Sequence, residues 1–206
     1  MHKPLFYIIP LLLMSWSTLP AQDKVDDTLY VESGIKKMNL GNDKEAIEDF
    51  NKAIEINPKN PEAHYNLANV QFKLGDTKGA MTYYNKVLEL DPRHDRAYKN
   101  RGKLKAEFKD YAGSIEDFTK AILVNPNYSD AYFNRGLSNM NLKLFEKAIA
   151  DFSKVIELNP KDAGAYYSRG NAKSHTEGKY AACLDWSKAG ELGYFKAYKA
   201  IEKNCN

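Results

Sequence analysis

The stretch AYFNRG at residues 131–136 has two close copies in the same chain, AYKNRG at 97–102 and AYYSRG at 165–170. Each copy lies 34 residues from the next. A ring, an amide and an arginine in a row are typical of an active site, but a single catalytic centre does not need its arginine three times. The spacing therefore predicts that the motif serves architecture.

Prolines repeat the same spacing along most of the chain. EINP ends at Pro58, ELDP at Pro92, LVNP at Pro126 and ELNP at Pro160. A fixed period of this size indicates stacked supersecondary units. With the proline taken as position 32, units begin at residues 27, 61, 95, 129 and 163, and positions are counted from these starts throughout.

Small and aromatic residues occupy fixed positions in every unit. Position 8 is Gly or Ala and position 20 is Ala or Ser, which lets two helices approach closely. Position 24 is always aromatic and position 4 is Tyr or His, and such rings fill the space beside small contacts. Apolar residues recur at helical spacing in the second half of each unit. The Asn-Pro or Asp-Pro pair then ends that helix, because proline disfavours helical geometry in the residue before it.

The period and these positions resemble the tetratricopeptide repeat family over residues 27–194. The resemblance implies an all-α, right-handed α-solenoid of about five helix–turn–helix units. Its concave face, lined by the first helix of each unit, would receive peptide or protein segments. The five units are 27–60, 61–94, 95–128, 129–162 and 163–194.

The C-terminal end departs from the repeat. Tyr194 replaces the final proline, and the turn aromatic Tyr180 is shifted by one residue. Residues 195–206 then place Phe195, Tyr198 and Ile201 at helical spacing. We expect a capping helix there, because a terminal unit has no neighbour to cover its last apolar face.

The N-terminus has a different composition. Lys3 precedes an apolar run from Leu5 to Leu13, about nine residues, which is too short to cross a bilayer but fits a secretory signal peptide. We expect cleavage after Ala21, a short linker at 22–26, and a mature chain that is periplasmic or secreted, without stable membrane insertion. A buried N-terminal helix is the alternative.

The overall charge gives little support to a nucleic-acid partner. The chain has 30 basic and 27 acidic residues, a formal net charge of +3, and no run of five like charges. Nucleic-acid binders usually concentrate basic residues on one face. The composition, 43% hydrophobic and 28% charged, is that of a folded chain.

The repeated arginine always has an aspartate in the same unit. Position 7 holds Arg101, Arg135 and Arg169, while position 23 holds Asp117, Asp151 and Asp185. Unit one has Ser33 with Asp49 instead, and unit two has Leu67 with Tyr83. We interpret these as structural ion pairs, either between the helices of one unit or between adjacent units. Removing one partner of such a pair should be costly.

The two cysteines, Cys183 and Cys205, lie on either side of an expected chain reversal near Gly193. On antiparallel helices they would reach about the same height. We expect a disulfide in an exported chain, with two reduced thiols as the alternative.

The sequence shows no catalytic or metal-binding motif. The histidines fall at different positions of the repeat, and neither a nucleophile motif nor a phosphate loop is present. We therefore expect no enzymatic activity, no metal and no cofactor.

The family resemblance places positions 2, 5, 6, 9, 12 and 13 of each first helix on the concave side. Position 6 holds Asn66, Asn100 and Asn134, which we interpret as an amide ladder for a peptide backbone. Unit three places Arg96, Lys99 and Lys103 on one helix face. The other candidate groove residues are Tyr65, Asn69, Phe72, Phe133, Met140 and Tyr167.

A basic centre between aromatic anchors suits an acidic protein or peptide segment that also carries apolar side chains. The two-carboxylate clamp of chaperone-binding family members is incomplete here: Lys99 and Asn134 match it, but Lys103, Gly164 and Ser168 do not. The alternative for the basic centre is a solvated charged face. We expect a non-enzymatic scaffold, with self-association into a homo-oligomer or a subunit role in an enzyme complex as competing functions.

Overall fold

A computed structural model describes residues 26–205, and the predicted signal peptide lies outside them. In this part of the chain every regular element is a helix. The helices are α1 (Asp27–Asn39), α2 (Asp43–Ile56), α3 (Pro61–Lys73), α4 (Thr77–Leu90), α5 (Asp95–Glu107), α6 (Tyr111–Val124), α7 (Ser129–Asn141), α8 (Phe145–Leu158), α9 (Ala163–Lys173), α10 (Lys179–Glu191) and α11 (Phe195–Asn204).

Short polar residues begin many of these helices, and proline follows many of their ends. The Asn60, Asp76 and Asp110 side chains each accept a hydrogen bond from a backbone N–H in the first turn of the following helix. Asn125, the residue before Pro126, is extended and ends α6. The sequence period thus becomes a period of helix starts and stops.

The turn inside each unit requires a left-handed residue. Gly41 and Gly75 take this conformation in the first two units, while Lys109 adopts it in unit three with a φ of 62°. In unit five the left-handed residue is Gly178, one place later than in the other units. Helix α10 nevertheless begins at Lys179, in register with α6 and α8, so Tyr180 is its second residue where Tyr111 and Phe145 are the first of theirs.

The aromatic ring at position 24 packs directly on the small residue at position 8. A Cβ atom added to Gly136 would lie 2.7 Å from the Phe152 ring, and one added to Gly170 would lie 2.7 Å from the Trp186 ring. Both rings are buried. The glycine therefore sets the distance between the two helices of a unit.

The five helix pairs stack into a right-handed α-solenoid, and α11 caps its C-terminal end. Each helix packs on the next along the chain. Among the odd-numbered helices, α1 contacts α3, α5 contacts α7 and α7 contacts α9, while Asn100 of α5 bonds to Asn69 of α3. These helices form one side of the stack, which we call the groove face. Within residues 26–205, none of the helices combines the length and the apolar character needed to span a bilayer.

Candidate functional site

The repeated arginines belong to the scaffold. In unit three, Nε and Nη2 of Arg101 donate to the two carboxylate oxygens of Asp117 at 2.8 and 2.7 Å. The Asp117 side chain is only 1% exposed. Arg135 with Asp151 and Arg169 with Asp185 repeat this fork. The ion pair joins the two helices of one unit.

The same arginines also contact the preceding unit. Nη1 of Arg101 donates to Asn85 Oδ1 at 2.8 Å, and Nη1 of Arg135 donates to Thr119 Oγ1 at 3.1 Å. Arg169 makes the corresponding bond to Ser153. The sequence left open whether the contact lies within a unit or between units, and the structure shows both.

A lysine at position 11 joins this network, which the sequence analysis missed. Lys105 lies 2.9 Å from Asp117, and Lys37 lies 2.6 Å from Asp49 in unit one. Burial by itself raises the pKa of Asp49, but hydrogen bonds from Lys37 and Ser33 outweigh burial and hold the pKa below its ordinary value. Lysine at position 11 in units one, three and five is the signal that would have revealed the contact.

The basic centre on the groove face behaves differently. Arg96 is paired with Glu62 at 3.0 Å and lies over the Tyr65 ring. Lys99 is half-buried, and its Nζ atom lies 5.9 Å from the centroid of the Tyr128 ring. Neither Lys99 nor Lys103 forms an ion pair with any residue in the described part of the chain.

Burial lowers the pKa of Lys99, because the charged form loses water. Asp130 and Asp95 oppose that effect only through longer-range attraction. Burial also raises the pKa of Tyr128 to about 12, so this ring stays neutral at physiological pH and offers no anion to Lys99. On the groove face of unit three, Lys99 and Lys103 therefore have acidic residues nearby but no direct ion-pair partner in the described chain.

A cavity of about 310 Å³ adjoins this charge between α5 and α7. Lys103, Glu107 and Asn134 supply polar atoms to its wall, while Leu137 and Tyr111 supply apolar surface. Leu137 is 39% exposed. The cavity can accept an apolar side chain next to a basic group.

The amide ladder needs a correction, because most of its N–H donors are already used. Nδ2 of Asn66 and of Asn134 each donate to the carbonyl four residues earlier, those of Glu62 and Asp130. Nδ2 of Asn100 donates to Asn69 Oδ1 at 2.9 Å and to the Tyr65 hydroxyl at 3.2 Å. Asn69 also accepts from the Tyr84 hydroxyl. Asn100 thus joins α5 to α3, whereas Asn66 and Asn134 each use one N–H donor within their own helix.

Several expected aromatic anchors are also structural. Tyr65 is only 7% exposed and packs against His94, and Phe72 packs on the core of units two to four. Phe133 and Met140 pack against the core around Phe152. The hydrophobic effect favours burial of a large apolar side chain at these positions, between neighbouring first helices. These residues form the floor of the groove face.

A second cavity, of about 480 Å³, lies on the groove face beside α11. Tyr167, Asn171 and Trp186 line it from unit five. The opposite wall is formed by Lys196, Lys199, Ala200, Lys203 and Asn204 of α11. The sequence predicted only a capping role for α11, and the position of its lysines on a cavity wall was not predicted.

Cys183 on α10 and Cys205, directly after α11, are joined by a disulfide. Tyr198 adds a hydrogen bond from its hydroxyl to the carbonyl of Gly190 at 2.9 Å. Both contacts fix α11 against α10. Across residues 26–205, no group of His, Cys, Asp or Glu side chains is arranged to hold a metal ion.

Comparison with known proteins agrees with this architecture. A TPR repeat model matches residues 37–75, and tetratricopeptide repeat models match 61–94, 95–128 and 129–162. No curated protein sequence matches the chain.

Solved structures share the fold over most of its length. The MamA protein in one crystal structure has 28% sequence identity to this chain, with a TM-score of 0.74 over 84% of this chain and 94% of that one. PilF from Pseudomonas aeruginosa is 25% identical, with a TM-score of 0.72 over 81% and 76%. YrrB, described as a TPR protein with an unusual peptide-binding site, is 21% identical, with a TM-score of 0.77 over 87% and 94%, which is a likeness of fold alone. The chain thus belongs to the tetratricopeptide repeat family, whose members are generally non-enzymatic protein-interaction scaffolds.

Proposed function

We propose that this scaffold binds an extended, acidic segment of a partner protein on its groove face, at Lys99 and Lys103. The observation that carries the proposal is the absence of an ion-pair partner for these two lysines within the described chain, beside a cavity of about 310 Å³. The arginine at position 7 of the same helix is fully paired.

The electrostatics favour an anionic ligand. Burial disfavours the charge of Lys99, as its lowered pKa indicates, and a carboxylate placed next to it would offset that cost. Tyr128 lies beneath the ammonium group and keeps one side of it dry. A partner carboxylate therefore gains more here than it would beside a lysine in open water.

The cavity accounts for an apolar component. Leu137 and Tyr111 give it an apolar wall one helix away from Lys103. A segment with an acidic residue followed by a leucine or phenylalanine would satisfy both features. Because the peptide backbone finds few free amides in the groove, we expect side chains to supply most of the affinity.

We also propose that the chain works in an extracytoplasmic compartment. The support is the signal-like sequence at 1–21 and the disulfide between Cys183 and Cys205, since disulfides persist in oxidising compartments. Intact mass spectrometry of the protein from its native host is the test. Export predicts an N-terminus at Gln22 and oxidised cysteines, whereas a chain that retains residues 1–21 and free thiols would contradict it.

Fluorescence anisotropy tests the binding proposal. The probe is a labelled peptide with an Asp/Glu cluster next to Leu and Phe, and its matched control replaces the acids with Asn and Gln. Residues 22–206 should bind the acidic probe more tightly, and Lys99→Glu with Lys103→Glu should weaken that binding at least about tenfold, roughly 1.4 kcal/mol. The melting temperature should fall by no more than about 4 °C, because neither lysine has an ion-pair partner to lose and Lys99 gives up only its contact with the Tyr128 ring and longer-range attraction to Asp95 and Asp130.

The matched control variant is Lys59→Glu with Lys161→Glu, which makes the same charge change at exposed turn residues. It should reduce binding by no more than about twofold, through long-range electrostatics alone. Equal losses in both variants would show non-specific attraction to the net charge. No preference for the acidic probe would refute the proposed ligand class.

A further inference from the structure

The capping helix repeats the sequence of the basic centre. Residues 96–103 read RAYKNRGK, and residues 196–203 read KAYKAIEK. The two stretches share alanine, tyrosine and two lysines at the same spacing, and lysine replaces arginine at the first place. A search at the 34-residue period does not align the two stretches, because they lie 100 residues apart and three periods are 102 residues.

The structure explains that offset. Helix α10 and the loop that follows it are each one residue shorter than their counterparts, so α11 begins at Phe195 instead of residue 197. Counted from Phe195 as position 1, Ala197 falls at position 3, where units two to five also hold alanine, and it is completely buried. Tyr198 falls at position 4, the tyrosine position. By this register α11 is the first helix of a sixth unit that has no second helix.

The same register places lysines at the groove positions. Lys196, Lys199 and Lys203 occupy positions 2, 5 and 9, the positions of Arg96, Lys99 and Lys103 in α5. All three α11 lysines line the cavity of about 480 Å³. None of them forms an ion pair with any residue between 26 and 205, whereas Arg96 of α5 is held by Glu62.

The cavity also offers groups that would orient a ligand. Trp186 donates its Nε1 hydrogen to Asn171 Oδ1 at 2.9 Å, which turns the Asn171 amide group so that its N–H donors have no partner among the described residues. Tyr167 packs against Tyr194, with the ring centroids 4.9 Å apart, and supplies an aromatic wall. Three cations, an amide donor and aromatic surface suit a carboxylate cluster with a neighbouring apolar side chain.

We propose that α11 is a second binding station for the same acidic partner segment, so that the partner engages α5 and α11 together. This inference rests on the proposed function of α5. Helix α5 contacts α7, α7 contacts α9, and α9 and α11 share the cavity of about 480 Å³. At about 10 Å for each step, α11 lies about 30 Å from α5. An extended segment of about nine residues covers that distance.

A protein segment fits this site better than a lipid surface does. The three lysines are exposed, and all of them line the cavity between α9 and α11. The exposed ring of Phe195 is at position 1, outside the cavity wall. A segment that enters the cavity contacts Tyr167 and Asn171 as well as the lysines, whereas a flat membrane surface would contact the exposed lysines alone.

The test uses residues 22–206 with two labelled probes. One peptide carries two acidic clusters separated by about nine neutral residues, and the other carries a single cluster. The variants are Lys99→Glu with Lys103→Glu, Lys196→Glu with Lys199→Glu, and the control Lys59→Glu with Lys161→Glu. The α11 substitutions lie near the start of the helix, where acidic residues are compatible with the helix dipole.

The two-cluster probe should bind the wild type at least about tenfold more tightly than the one-cluster probe, because the second contact is intramolecular. The α11 variant should lose that advantage and keep the one-cluster affinity contributed by α5. Circular dichroism should show an unchanged helix content, and Lys196→Gln with Lys199→Gln should give the same loss without reversing charge.

Three results would overturn the inference. If the α11 variant behaves like the control while the α5 variant loses binding, α11 is only a cap and the proposed function survives. If neither variant affects either probe, the proposed function fails as well. If the α11 variant loses only its co-sedimentation with phosphatidylglycerol vesicles, α11 is a membrane contact.

Discussion

Helix α5 carries two kinds of positive charge within a few residues. Arg101 is bound to Asp117 and to Asn85 of the preceding unit, so all its charge is used inside the scaffold. Lys99 and Lys103 face the groove and have no ion-pair partner in the described chain. The two sides of one helix thus separate structural charge from charge available to a ligand.

Position in the repeat, not residue type, decides this difference. Arginine at position 7 recurs in three units, always with its aspartate, which is expected of a contact between repeated helices. Lysine at both groove positions 5 and 9 occurs in only one of the five units, and again in α11. A charge that recurs with its partner is structural, and a charge that recurs without one is a candidate for binding.

The largest expected effect is on the structural side. Arg101→Leu leaves the buried Asp117 with only Lys105, so we expect a loss of about 3 kcal/mol, or a melting temperature lower by about 6–12 °C. Binding of the acidic probe should stay within about twofold of the wild type. Thermal denaturation and anisotropy on the same sample measure both.

Unit two supplies the matched rescue, because it holds Leu67 and Tyr83 at the same two positions. Adding Asp117→Tyr to Arg101→Leu should recover part of the lost stability, since the buried carboxylate is removed and only the partly exposed Lys105 loses its ion-pair partner. Arg93→Leu, at an exposed arginine without an ion pair, should have almost no effect. A double variant no more stable than the single one would show that the ion pair is not what unit two replaces.

A smaller effect is expected from pH. The pKa of Asp49 is held below its ordinary value, so its ionised form stabilises the fold above the unfolded pKa of about 4. That contribution is lost as the pH falls through the lower, folded pKa. The difference in melting temperature between the wild type and Asp49→Asn should therefore be largest near pH 7 and shrink below about pH 4.

Glu55→Gln, at an exposed carboxylate on the same helix, is the control and should show little change with pH. A constant difference between the wild type and Asp49→Asn across this range would mean that Lys37 and Ser33 do not stabilise the ionised form.

Much of the fold was predictable because it depends on few residue types. Proline ends helices, glycine admits an aromatic ring, and both recur at a fixed spacing. The spacing of apolar residues alone was enough to predict that α11 is a helix that caps the stack. The role of α11 as a further first helix could not be predicted, because α10 and the loop after it are each one residue shorter than their counterparts, which breaks the register.

The groove was less predictable than the scaffold. The sequence singled out Lys99 and Lys103, but it did not show that Asn66 and Asn134 bond to their own helix. Side-chain hydrogen bonds depend on rotamers and on neighbours in other units, which a repeat pattern does not encode. Tyr65 was predicted as a groove residue, but the repeat pattern does not show that Arg96 and His94 cover its ring.

The most direct test of the account measures stability and acidic-peptide affinity for Arg101→Leu and for Lys99→Glu with Lys103→Glu, side by side. We predict a crossed result: the arginine variant loses stability and keeps affinity, and the lysine variant keeps stability and loses affinity by at least about tenfold. If both variants lose the same property, the separation of structural and binding charge on α5 is wrong. It is also wrong if the lysine variant loses stability and keeps its affinity for the peptide.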